Sequence, residues 1–214
     1  MDPNFLEACI FKLKSLEYVD KEINPKDYEE TILEYLNHSP KDEKNYLFAI
    51  YSLFNINNFD LIESVTNEAL LLHPDSHDIL SSTLKSLLYA DDFEKSIKYL
   101  DNLSKTSKFL KDILHFKALV YRDEEEYDKS LDVYNEILND SRDLDRLSRK
   151  IKTLKFMERD DEALELLDRM IDDNDEKNWA LVNKGLYYQD QDETLAMKFI
   201  DEVIENDPEY GFAY

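Results

Sequence analysis

The sequence predicts an all-α protein, an α-solenoid in which antiparallel helical hairpins stack in chain order as one domain over residues 1–214. Three observations predict it. Turn signals and apolar columns repeat every 34 residues. Between those marks apolar residues recur at spacings of three and four, which line one face of a helix. Only two glycines are present, Gly185 and Gly211, so the Asn-Gly and Asp-Gly turns that close β-hairpins are missing.

The hairpins follow in order, about six of them, near 9–42, 43–76, 77–110, 111–143, 144–176 and 177–208. The first is degenerate, with Tyr28 where later units carry a small residue and Pro25 opening its second helix. It reads as an N-terminal cap. In the second, Tyr46 and Leu53 mark the first helix and Phe59, in Asn-Asn-Phe-Asp, opens the second. Pro40 and Pro74 mark the turns on either side. The third repeats this with Leu80, Leu87 and Phe93, and places Phe93, Ile97, Leu100 and Leu103 on one face. The fourth has Leu114, Tyr121 and Tyr127, with Leu131, Tyr134 and Ile137 on the matching face. In the fifth, Leu147 and Leu154 fall one residue early, and Ala163 and Leu167 continue the columns of Ser96 with Ser130 and of Leu100 with Tyr134. The sixth closes near Pro208. Residues 208–214 then read as the entry into a further first helix, Tyr214 standing in the column of Leu80, Leu114 and Leu147. Phe199, Val203 and Ile204 would lack cover apart from Phe212 and Tyr214. The expectation is that the natural chain continues, or that two copies join as an end-to-end homodimer.

A net charge of -23 and a pI near 4.4 argue against nucleic acid and anionic lipid, whose phosphates such a surface repels, and favour basic partners. Solvation alone is the plainer reading of the same charge. No stretch reaches the roughly 18 apolar residues of a membrane span. The N-terminal residues lack the basic region of a secretory signal, and Cys9 has no second cysteine to pair with. Together these predict a cytoplasmic protein.

Little in the sequence points to catalysis. Two glycines cannot build a phosphate loop or a dinucleotide fingerprint. His73 and His77 are four apart, but Pro74 between them breaks any shared helix, so surface histidines are expected rather than metal ligands. The acidic runs at 172–176 and 190–193 lack the central glycine of a calcium loop, and helix capping explains them better. No nucleophile elbow accompanies the serines. The sequence therefore predicts no enzyme, no cofactor and no metal.

A 34-residue period of two helices is that of the tetratricopeptide repeat, and the chain resembles that family over almost its whole length. Residues 160–167, Asp-Asp-Glu-Ala-Leu-Glu-Leu-Leu, are similar to its second-helix motif, with Ala163 as the small alanine. Asn183-Lys-Gly-Leu-Tyr-Tyr resembles its first-helix motif, with Gly185 as the glycine, and Ile204-Glu-Asn-Asp-Pro208 its closing turn. Elsewhere that glycine column holds Ile50, Leu84, Ala118 and Ile151. Ser96 relieves Leu84 and Ala163 relieves Ile151, whereas Ile50 faces Ile62 without relief, so this hairpin is expected to splay or shift.

The resemblance implies right-handed superhelical stacking and a concave groove lined by first helices, in which a peptide or protein segment binds. Mapped onto this chain, the groove of the second unit holds Leu47, Phe48, Tyr51 and Phe54. With Tyr46, Ala49, Ile50 and Leu53 on the packing face, that helix is apolar nearly all round and must be covered, either by a partner or by Phe5, Cys9 and Leu13 of the N-terminal helix. Farther along the groove becomes basic, with Lys85, Arg122, Arg149, Lys152 and Lys155, and residues 142–155 are the one strongly cationic stretch. Arginine and lysine there suit a carboxylate, unless neighbouring acids already hold them. The clamp with which some members hold chaperone C-termini is not matched, since its places carry Ser81 with Lys85 and His115 with Leu119. The turns inside the hairpins, Asp91-Asp92, Asp123 to Glu126, Asp160 to Glu162 and Asp192-Glu193, would line up as an acidic ribbon open to a basic protein. The expected role is an interaction scaffold. The alternative is a regulatory sensor of a small peptide or anion.

Overall fold

A computed structural model describes residues 3–19, 25–90, 92–139, 143–173 and 176–211. Among them are twelve α-helices and no strand. Two compact units divide the chain, Met1–Glu124 and Glu125–Tyr214. The first contains α1 (Pro3–Val19), α2 (Pro25–His38), α3 (Glu43–Phe54), α4 (Phe59–Leu72), α5 (His77–Leu88), α6 (Phe93–Ser104) and α7 (Leu110–Asp123). The second contains α8 (Tyr127–Leu138), α9 (Leu144–Phe156), α10 (Asp160–Asp172), α11 (Lys177–Tyr188) and α12 (Glu193–Asn206). Helix starts fall where the 34-residue register puts them, and the division between units lies in the turn of the fourth predicted hairpin.

Capping explains many of these starts. Asp42, Asn58, Ser76, Asp92, Asp143 and Asp192 each accept a hydrogen bond from the backbone N–H three residues on, which satisfies a donor the helix itself leaves free. In the acidic run at 172–176, the described residues Asp172, which ends α10, Asp173, its C-cap, and Glu176, which makes no side-chain cap, do not cap a helix start with their side chains. Its Asn174 and Asp175 lie outside the described residues.

The turns inside the hairpins hold a feature the sequence does not announce. Asn57, Glu125 and Glu158 have φ of 54°, 60° and 55°, each two residues before the start of α4, α8 or α10. After α9, the N–H of Arg159 donates to Leu154 O at 3.0 Å and that of Glu158 to Lys155 O at 3.1 Å. After α3, Asn58 donates to Leu53 O and Asn57 to Phe54 O in the same pattern. This is the Schellman closure, whose left-handed residue is usually glycine.

Within the first unit the hairpins stack in chain order, α3 on α4 and α5, α5 on α7, and α6 on α7. One cluster runs from Cys9, Leu13 and Tyr28 to Tyr46, Ile50, Leu53 and Ile62, and a second from Leu80 and Leu84 to Leu100 and Ile113. Ile50 and Ile62 are both fully buried, so the hairpin takes both side chains without exposing either. Tyr28 is also fully buried, which seats the first hairpin firmly on the second. Polar contacts between neighbouring repeats reach across about one period: Lys95 pairs with Asp60, Lys108 with Asp75, and Ser76 donates to Glu43 at 2.5 Å. In the second unit α8 packs on α9, α9 on α10, α10 on α11 and α11 on α12. Ser148 donates to Asn183 at 3.2 Å and Lys155 to Tyr187 O at 3.1 Å, tying α9 to α11.

At the end of the chain, Val203 is fully buried and Tyr210 packs beside it with Phe199, while Phe199 stacks on Tyr188 at 6.0 Å. The expected lack of cover therefore does not hold for Val203: Tyr210 supplies it. Phe212 and Tyr214 lie outside the described residues.

Candidate interaction surface

On α3 three of the four residues mapped to the groove, Leu47, Phe48 and Phe54, pack partly against the core, and Tyr51 stands exposed. Leu47 and Phe48 are half-buried against the cluster that includes Cys9 and Leu13, and the Phe48 ring lies 4.9 Å from that of Tyr35 on α2. They serve packing. Tyr51 is 64% exposed, so the expectation that this face must be wholly covered fails there. A tyrosine tolerates such a position because its hydroxyl stays in water while its ring edge rests on a neighbour.

Tyr51 and Phe54 line a cleft of about 260 Å³ between α3 and α5, closed on the other side by Ser82, Lys85, Ser86 and Tyr89, with buried Ile50 at its base. Three residues of the mapped groove, Tyr51, Phe54 and Lys85, thus meet in one place. Tyr89 is the residue that sequence reasoning passed over. It caps the C-terminus of α5, is 69% exposed, and its ring lies 5.9 Å from Phe54. The signal was available, since Tyr89 stands 34 residues after Asn55, just past the aromatic that ends α3. The Ser86 hydroxyl donates to Ser82 O at 3.0 Å and is satisfied by its own helix. Lys85 is exposed and makes no ion pair among the described residues.

The basic set also divides. Arg122 was expected to stand open; its side chain is only 17% exposed and donates to Asp123 from Nε at 3.0 Å and Nη2 at 2.6 Å. A guanidinium held by its neighbour in this way is not free for a partner. Lys155 is likewise engaged, by Tyr187 O and by Asp190 at 4.0 Å, with its ammonium 5.1 Å from the Tyr187 ring centroid. Arg149 and Lys152 make no ion pair among the described residues, and Lys152 Nζ lies 5.8 Å from the ring centroid of Phe156. Phe156 is exposed and stacks on Tyr127 at 6.1 Å. Between them in sequence, Lys150 turns toward α10, where burial pushes its pKa down against the pull of Glu162, with Arg169 and Arg159 adding to the push.

The acidic turns are partly spent. Asp92 and Asp192 cap helices, Asp160 accepts from the Tyr187 hydroxyl, and Glu162 accepts two bonds from Arg159, at 2.6 and 2.8 Å. Asp91 and Arg142 lie outside the described residues. His73 follows α4 and its ring lies 3.0 Å from Lys41 O, while His77 opens α5 and lies 3.5 Å from Asp112. The depression of about 440 Å³ around these two histidines is polar and its rings are already engaged. Among the described residues no three of His, Cys, Asp and Glu gather as metal ligands, and no helix is long and apolar enough to cross a membrane.

No family model matches the chain, and no curated protein does. Among solved structures it is similar to YrrB, titled a TPR protein with an unusual peptide-binding site, at 14% identity over 85% of this chain and 95% of that one, TM-score 0.45. It is also similar to MamA, at 14% identity over 76% and 90%, TM-score 0.49. A MamA fragment from Desulfovibrio magneticus RS-1 gives 12% identity over 78% and 94%, TM-score 0.47.

Proposed function

We propose that this chain is an interaction scaffold, not a catalyst, that holds a peptide or protein segment on the exposed faces of its first helices. The observation that supports this most is the cleft between α3 and α5. Tyr51, Phe54 and Lys85, which the resemblance maps to the groove, lie together around an open, carbon-lined hollow. A volume of about 260 Å³ is below the roughly 300–1,000 Å³ of pockets that enclose drug-sized ligands. It suits one large side chain of a partner. Arg149 and Lys152 on α9 extend the reading to the second unit, where they would hold the carboxylates of a segment bound to that unit. The lone buried Cys9 fits a reducing cytoplasm, the compartment proposed here.

The test uses peptides on the intact chain. Acidic peptides should bind weakly, lose affinity as salt rises, and bind less to the Arg149→Ala/Lys152→Ala variant while its unfolding midpoint stays within error. Binding that ignores both salt and the double substitution would remove α9 from the proposed surface.

A further inference from the structure

From the α3–α5 cleft we infer the class of segment it takes: an aromatic or large branched side chain with a carboxylate one or two residues away. This rests on the scaffold reading above and goes beyond it by naming the occupant. The hollow is walled by Tyr51, Phe54 and Tyr89, with Ile50 beneath. Offset and edge-on ring contacts favour an aromatic guest in such a wall, and a guest of that size fills the space. Ser86 brings no unmet demand, because its hydroxyl is already bonded to Ser82 O.

Charge selects what flanks the guest. In the first unit, Lys41, Lys95, Lys108, Lys117 and Arg122 each sit on an acid of the chain: Glu68, Asp60, Asp75, Asp101 and Asp123. Lys85 is at the rim of the carbon-lined hollow between α3 and α5, and no acid among the described residues answers it. On a chain of net charge -23, a basic segment would be drawn to many places, whereas a carboxylate is repelled from most of them. Lys44, Lys98 and Lys111 are also exposed with no acid on them among the described residues, but of these cations Lys85 is the one that lines the hollow, so an acidic flank beside a seated aromatic guest falls to it.

The experiment selects a random nonapeptide phage library on the intact protein, then measures synthetic winners by fluorescence anisotropy. The expected winners pair Phe, Tyr, Trp or Leu with Asp or Glu at a separation of one or two. Tyr89→Ala should cut their affinity about tenfold by removing a wall of the hollow. Lys85→Gln should cut it about threefold at low salt, and should leave an Asn- or Gln-flanked version of the same peptide unchanged. Winners without that pairing, or winners indifferent to both substitutions, would overturn this inference while leaving a peptide-binding scaffold in place. A library that yields no winner at all would overturn both. Amide-resolved NMR on the Lys85→Gln and Tyr89→Ala proteins confirms that each keeps its fold, so a loss of binding is read at the cleft.

Discussion

Replacing Glu158 by glycine should stabilise the protein. Glu158 follows α9 with φ of 55° and closes a Schellman motif with Arg159. A left-handed conformation costs an L-residue roughly 1–2 kcal/mol, and glycine is relieved of it. Glycine returns about 0.5–1 kcal/mol of that through the greater freedom of its unfolded chain. The net gain expected is about 0.5–1 kcal/mol. Charge adds a separate effect, because a carboxylate near a helix C-terminus opposes the dipole by about 0.3–1 kcal/mol at low salt. Glu158→Gln carries that effect alone, and Glu158→Asn adds the tolerance of asparagine for the left-handed region. The order expected is therefore glycine, asparagine, glutamine, then the original glutamate. Urea unfolding followed by Trp179 fluorescence is the right assay, since the single tryptophan sits on α11 in the same compact unit. The midpoint should rise with the slope unchanged. A midpoint for Glu158→Gly at or below that for Glu158→Gln would refute the backbone argument and leave only the electrostatic one.

Three further outcomes follow from particular contacts. A Cβ added to Gly185 would stand 3.0 Å from Ile200 Cδ1 and 3.3 Å from Ala196 O, so Gly185→Val should cost about 1–3 kcal/mol, and Ile200→Ala on top of it should cost less than on its own, measured by the same denaturation. The buried Thr66 and Thr83 hydroxyls lie 2.7 Å apart and Thr83 donates onward to Ile79 O, while Thr66 also meets the Tyr99 hydroxyl; Thr83→Val should cost about 1 kcal/mol by removing the pair, and the double change to valine should fall short of the sum of the two single ones, measured by the same denaturation. Hydrogen bonds from the Tyr46 hydroxyl and from Lys41 hold the Glu68 carboxyl below its ordinary 4.5. The stabilisation from Glu68 is thus full above pH 4.5 and lost as pH falls through the lowered value. NMR titration of Tyr46→Phe should show the Glu68 pKa moving up, and an unmoved value would show that the tyrosine bond is not its main cause.

The helices and their order were legible in the sequence, because each rests on spacing within one stretch of chain. A 34-residue recurrence of Phe59, Phe93 and Tyr127 marks where second helices begin, and the helical period of about 3.6 residues marks which face is apolar. The groove mapped from the resemblance holds three of the seven residues that line the cleft, Tyr51, Phe54 and Lys85. Tertiary structure alone decided which of these side chains remain free. Leu47, Phe48 and Phe54 all pack partly against the core of the first hairpins, yet Phe54 also reaches the cleft and Tyr51 stands exposed there. Lys155 looks like Lys152, yet Tyr187 O on α11 holds the first while no acid among the described residues holds the second. Periodicity fixes the direction in which a side chain leaves its helix. What meets it there depends on the neighbouring helix and on rotamers chosen by packing, and neither is written in the spacing of residues.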